Sequence, residues 1–129
     1  MAEAANALRC AERMIAALEE WNAERALRDE PPLAMGIGVN YGPAVIGDVG
    51  GGQSLSFTVI GDTVNTASRL QRMTRSLVTP LIVSDAAVTA AKSAPCDVTA
   101  ALAILTDRGE HPLRGRTDPV RIWTSRQPG

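Results

Sequence analysis

The stretch Phe57-Thr58-Val59-Ile60-Gly61-Asp62-Thr63-Val64-Asn65-Thr66-Ala67-Ser68-Arg69-Leu70 decides how this chain is read. Leu55, Phe57 and Val59 alternate with Ser54, Ser56 and Thr58, the period-two pattern of a half-buried strand. Thr58 is therefore expected on the face opposite Phe57 and Val59. Gly61 breaks the strand. Asp62 is a favourable N-cap, and a helical pattern starts just after it. On that helix Asn65 and Arg69 are four residues apart and share a face. One strand-to-helix junction thus carries a hydroxyl, an amide and a guanidinium, a set suited to a base, a ribose and a phosphate.

Working outward, the first helix is expected over 3–28. Leu8, Ala11, Ile15, Leu18 and Asn22 fall on helical spacing, widened by Ala7, Met14 and Trp21. Asp29-Glu30-Pro31-Pro32 ends it, because proline lacks a donor and disfavours helix in the residue before it. Met35, Ile37 and Val39 alternate with Gly36, Gly38 and Asn40, a strand with one nearly bare face. Tyr41-Gly42-Pro43 is expected to turn the chain into a second strand at about 44–49, making a β-hairpin. After the loop Gly50-Gly51-Gly52-Gln53 come the strand at about 55–60 and a helix at about 63–77, ended by Thr79-Pro80. Leu81-Ile82-Val83 reads as a short buried strand, and Ser84 as the cap of a helix through about Lys92. Two further strands are expected near 98–106 and 119–125, joined by the polar loop Asp107-Arg108-Gly109-Glu110-His111. These elements predict an α+β domain, one sheet with helices packed on a face.

Composition bounds the function. With 129 residues the chain can hold one domain and a modest core. Hydrophobic residues are 45% and aromatics only 3%, so the core must be aliphatic. A formal net charge of -1 argues against a broad nucleic-acid or anionic-membrane surface. No apolar run approaches the ~20 residues of a membrane span, and the N-terminus lacks the order of a signal peptide. Cys10 and Cys96 fit no metal or redox spacing and read as reduced thiols of a cytoplasmic protein.

The 57–70 stretch resembles the signature of the class III nucleotide cyclases, the adenylate and guanylate cyclases. The family pattern is an aromatic, a base-reading residue, two apolar residues, Gly, Asn or Asp, a small residue, Val, Asn, two small residues, Ser or Ala, then Arg. Each element has a match here. Met35-Gly36-Ile37-Gly38-Val39-Asn40-Tyr41-Gly42 is similar to the family's glycine-bearing strand, and Val45-Ile46-Gly47-Asp48-Val49-Gly50 to its return strand. Leu113-Arg114-Gly115 is similar to its late phosphate-contacting motif. The resemblance covers nearly the whole chain and implies a ferredoxin-like cyclase core. It also implies that residues 1–129 are the back two-thirds of the domain, N-terminally truncated, without the first strand, the first helices and the metal-binding hairpin.

By that resemblance the parent reaction converts ATP to 3′,5′-cyclic AMP and pyrophosphate. Thr58 would read adenine, since a hydroxyl both donates and accepts; an ordinary strand threonine is the plain alternative. Asn65 and Arg69 would steady the ribose and the transition-state oxygens. Taken alone, that pair reads as two surface residues of a helix; the surrounding signature gives them a role. Arg114 would contact the β- and γ-phosphates, although the family usually has lysine there, and Arg116 competes for the position. Gly36, Gly38 and Gly42 miss the dinucleotide spacing and are expected to permit close packing and a tight turn. Asp48 reads as structural and His111 as a solvated loop histidine.

The family's two divalent cations, Mg²⁺ or Mn²⁺, are held by two aspartates in the segment that the resemblance places before this chain. The chain alone is therefore expected to be inactive. The implied partners are ATP and a second cyclase subunit in a head-to-tail dimer, with no nucleic acid and no membrane contact from this segment. A non-catalytic nucleotide-binding or dimerisation module is the alternative; a guanylate cyclase is less favoured.

Overall fold

The computed structural model describes residues 2–43, 45–48, 57–114 and 116–125, with the backbone alone at 45–48 and 57–60. Helix α1 spans Ala2–Leu27. Strands β1 (Ile37–Val39), β2 (Val45–Asp48) and β3 (Phe57–Ile60) follow, then α2 (Asp62–Ser76), β4 (Leu81–Ser84) and α3 (Asp85–Lys92). The chain continues through α4 (Thr99–Ala103), β5 (Leu105–His111) and β6 (Val120–Ser125).

Four strands form one sheet in the order β1-β4-β6-β5, while β2 and β3 pair separately and antiparallel. The run Leu81-Ile82-Val83 is wholly buried, as expected of a strand covered on both faces. Successive residues of a strand point to opposite faces, and β4 uses both. Leu81 and Val83 pack with α1, α3 and α4, around Leu8, Ile15, Val88 and Ala91. Ile82 joins Ile122 and Leu70, under α2. The α+β class stands, but the helices cover both faces of the four-stranded sheet rather than one.

Among the described residues, β1 and β2 do not pair as the expected hairpin. β1 pairs in parallel with β4, Ile37 opposite Leu81 and Val39 opposite Val83. β2 pairs instead with β3. β4, buried throughout and apolar from Leu81 to Val83, takes β1 on one edge and β6 on the other, so long-range burial overrides the local turn signal in Tyr41-Gly42-Pro43.

The segment read as a strand over 98–106 is mostly helix. The Asp97 carboxylate accepts from the Thr99 backbone N–H at 2.9 Å, and the alanines of Thr99–Ala103 carry a helical turn. The segment Asp107–His111, expected as a loop, is strand: β5 lies at the sheet's edge with an irregular register between Asp107 and Glu110. A charged edge strand discourages pairing with other chains, which is why its composition looks like a loop.

In α1 the buried stripe is Ala4, Ala5, Leu8, Ala11 and Ile15. Ala7 is exposed, as are Met14 at 44% and Trp21 at 53%, so the helix faces the core more narrowly than its apolar residues suggest. Asn22 does not join the core either; its side chain clamps the backbone of Leu33, donating to the carbonyl at 2.9 Å and accepting from the N–H at 2.8 Å.

Candidate active site

Helix α2 is the platform of the site, and two glycines set its position. A Cβ at Gly38 would stand 2.5 Å from the Gln71 backbone nitrogen, and one at Gly36 would meet the Thr74 hydroxyl. The bare face of β1 thus lets α2 lie directly on the strand, which is the close packing expected of these glycines. At the helix start, Gly61 is the N-cap, with φ 134°, a backbone region that favours glycine. Asp62 is the first helical residue rather than the cap, and its side chain makes no capping bond. The helix entry is held from the other side by Asn40, whose amide donates to the Thr63 carbonyl at 3.1 Å.

Asn65 is exposed and Arg69 half-buried one turn further along the same face. Among the described residues neither side chain has a hydrogen-bond or ion-pair partner. The Leu113–Arg116 turn comes to this helix from the far end of the sequence. Leu113 is buried with Leu70, Ile82 and Ile122. The Arg116 N–H donates to the Leu113 carbonyl at 3.1 Å, closing the turn. The Arg116 guanidinium donates to the Asp62 carboxylate at 2.7 Å and to the Thr66 hydroxyl at 3.0 Å. Arg114 sits within the turn, exposed and without a partner among the described residues.

So the structure brings three predicted residues to one region: Asn65 and Arg69 on α2, and Arg114 on a turn fastened to the first turn of that helix. Arg116, weighed in the sequence against Arg114, is occupied by Asp62 and Thr66. Gly115 lies outside the described residues, and so does the side chain of Thr58; the Thr58 backbone pairs with Gly47 across β2 and β3. The Asp48 side chain is likewise outside them. His111 belongs to β5 and its Nδ1 lies 3.4 Å from the Gly109 carbonyl. Cys10 and Cys96 are free thiols.

The Arg69 guanidinium and Asn65 amide on α2, and the Arg114 guanidinium on the adjoining turn, have no partner among the described residues and can donate to the oxygens of an anionic ligand. Among the described residues no three of His, Cys, Asp and Glu come together to hold a metal ion. The described residues therefore do not fit a divalent cation by themselves. No described helix is long and apolar enough to cross a membrane.

This architecture is that of a nucleotide cyclase domain. Residues 1–124 match the adenylate and guanylate cyclase catalytic domain, and the chain belongs to that family. It is 37% identical over 89 residues to adenylate cyclase 1 of Rhizobium meliloti (strain 1021), covering 69% of this chain and 13% of that protein. It is 28% identical over 121 residues to the adenylate cyclase of Anabaena cylindrica, covering 91% of this chain and 23% of that one. The fold is similar to the crystal structure of the guanylyl cyclase Cya2, with a TM-score of 0.69 and 28% identity over 98% of this chain and 59% of that chain. The chain thus spans less than a quarter of the length of either of those two adenylate cyclases.

Proposed function

We propose that this chain is the part of a class III adenylate cyclase catalytic domain that reads the base and stabilises the transition state when ATP is converted to 3′,5′-cyclic AMP and pyrophosphate. The observation that carries this reading is the pair Asn65 and Arg69 on α2, without partners among the described residues, with the Arg114 turn tied to the same helix through Arg116. Relatives named adenylate cyclase support the choice of ATP.

Cyclisation needs the ribose 3′-hydroxyl in line with the α-phosphorus and the departing pyrophosphate. Asn65 would hold the ribose in that attitude. Negative charge builds on the phosphorus oxygens as the bond to pyrophosphate breaks, and Arg69 would meet it with paired N–H donors. Arg114 would bind the β- and γ-phosphates, and Thr58 would meet the adenine edge. A bound Mg²⁺ or Mn²⁺ would supply activation of the hydroxyl and neutralisation of the triphosphate charge. Its aspartates would come from a segment outside these 129 residues, and the partner would be a second cyclase subunit joined head to tail.

A nucleotide-binding or dimerising module without catalysis is the second reading. The two readings part on one experiment, performed on a complete catalytic domain containing this chain and a metal-binding segment. Asn65→Ala or Arg69→Ala should lower turnover by roughly 10²–10³-fold, the usual effect of losing one transition-state donor, with a much smaller change in ATP affinity. Unchanged turnover in both variants would refute the assigned roles. The chain on its own, given MnATP, should form no cyclic AMP; robust product would show that it holds metal ligands of its own.

A further inference from the structure

Arg116 and Asp62 are 54 positions apart in sequence and join the two halves of the site. The Arg116 guanidinium spans from the exposed Asp62 carboxylate to the buried Thr66 hydroxyl, on the helical turn that also carries Asn65. Both bonds come from one nitrogen, Nη1. On the other side of the turn Leu113 is sunk in the core beneath α2. Arg114 is thus bracketed by two anchors, one apolar and one ionic, and both are made to the element that bears Asn65 and Arg69.

We propose that Asp62 and Arg116 are positioning residues, a clasp that holds the Arg114 turn on the first turn of α2 so that Arg114 and Arg69 meet one polyphosphate as a rigid pair beside Asn65 on the ribose. The proposal rests on the nucleotide-binding reading of those three residues. Asp62 carries the negative charge that keeps Arg116 turned toward the helix and away from the ligand. Thr66 adds a bond at a site nearly closed to water, where a charged donor's bond is stronger than at the surface. A clasp of this kind lowers the entropy of ordering a loop when a ligand arrives.

The test uses the chain itself and inorganic tripolyphosphate as the probe, with affinity read by calorimetry and by amide chemical shifts. Arg69→Gln and Arg114→Gln should each weaken binding, because they remove direct contacts. Asp62→Ala and Arg116→Gln should each weaken it by about tenfold, the scale of one charge-assisted hydrogen bond. Arg116→Lys should recover part of the loss. The deciding variant exchanges the pair, Asp62→Arg with Arg116→Asp. A clasp survives that exchange and affinity returns toward wild type; a direct phosphate contact by Arg116 does not, since an acid then faces the ligand.

Amide hydrogen exchange supplies a readout that needs no ligand. The Arg116 N–H, bonded to the Leu113 carbonyl, should exchange about tenfold faster in Asp62→Ala, with the melting temperature nearly unchanged. If Arg69→Gln and Arg114→Gln weaken binding while the Asp62 and Arg116 variants bind like wild type, the clasp is overturned and the site reading survives. If Arg69→Gln and Arg114→Gln have no effect, or wild type does not bind, the site reading fails and the positioning role fails with it, whatever the exchange rates.

Discussion

Gly38 of β1 lies so close beneath Gln71 of α2 that a Cβ there would stand 2.5 Å from the Gln71 nitrogen and 3.1 Å from its Cα. Both are backbone atoms of a helix, which cannot yield one at a time. The helix that bears Asn65 and Arg69 is therefore placed by the absence of a side chain on the strand below it.

Gly38→Ala should destabilise the chain by about 3 kcal/mol, the upper part of the range for overpacking a tight contact. Gly36→Ala should cost less, because the nearest atom there is the Thr74 side-chain oxygen, which can rotate away. Urea denaturation of the three proteins checks the order. Equal midpoints for Gly38→Ala and wild type would show that α2 is not seated on β1 in this way.

Val78→Gly should raise stability by about 1 kcal/mol. Helix α2 ends in a Schellman arrangement, with the Thr79 N–H bonded to the Thr74 carbonyl and Val78 at φ 51°. That conformation costs a β-branched residue about 1–2 kcal/mol, part of which glycine gives back through its greater freedom when unfolded. Val78 is 59% exposed, so little burial is lost. A thermal melt should show a rise of about 4 °C; an unchanged or lower midpoint would contradict the cap.

What could be read from the sequence follows from how local each signal is. Helix α2 and its Asn65–Arg69 face were legible because spacing and a glycine stop are local. So was the cap of α3, where Ser84 Oγ accepts from the Ala87 N–H at 3.2 Å. The partner of β1 was not legible, since pairing with β4 is decided by burial of Leu81, Ile82 and Val83 some 40 positions away. The strand at Asp107–His111 was hidden because an edge strand wears the charges of a loop. Arg116 could be seen as a candidate cation, but nothing near it in sequence pointed to Asp62. The one signal available was that Asp62 opens α2, where a carboxylate suits the helix dipole and can recruit a cation.

Acid should destabilise the chain through Asp107 and Asp97. The Arg121 guanidinium beside Asp107, with Nε 3.0 Å from Oδ2, holds that carboxyl below its ordinary value, helped by the Gly109 N–H. Hydrogen bonds from Thr99 do the same for Asp97. A carboxyl whose value is lowered by folding contributes stability in full above its unfolded value, about pH 4, and loses it as the pH falls further through its folded value. The variant Asp107→Asn with Asp97→Asn should thus melt below wild type at pH 6, and the gap should close toward pH 2. A gap that stays constant with pH would show that these bonds do not favour the ionised carboxyls.

The choice of ATP is the centre of the account, and Thr58 is the residue on which it turns. The measurement is kcat/KM for ATP and for GTP, at saturating metal, in a complete catalytic domain containing this chain, for wild type and Thr58→Ala. Wild type should prefer ATP. Thr58→Ala should shrink the preference by about tenfold without abolishing catalysis, the scale expected when one polar partner of a buried group is lost. An unchanged ratio, or a wild-type preference for GTP, would contradict the assignment of Thr58 to adenine and of this chain to an adenylate cyclase.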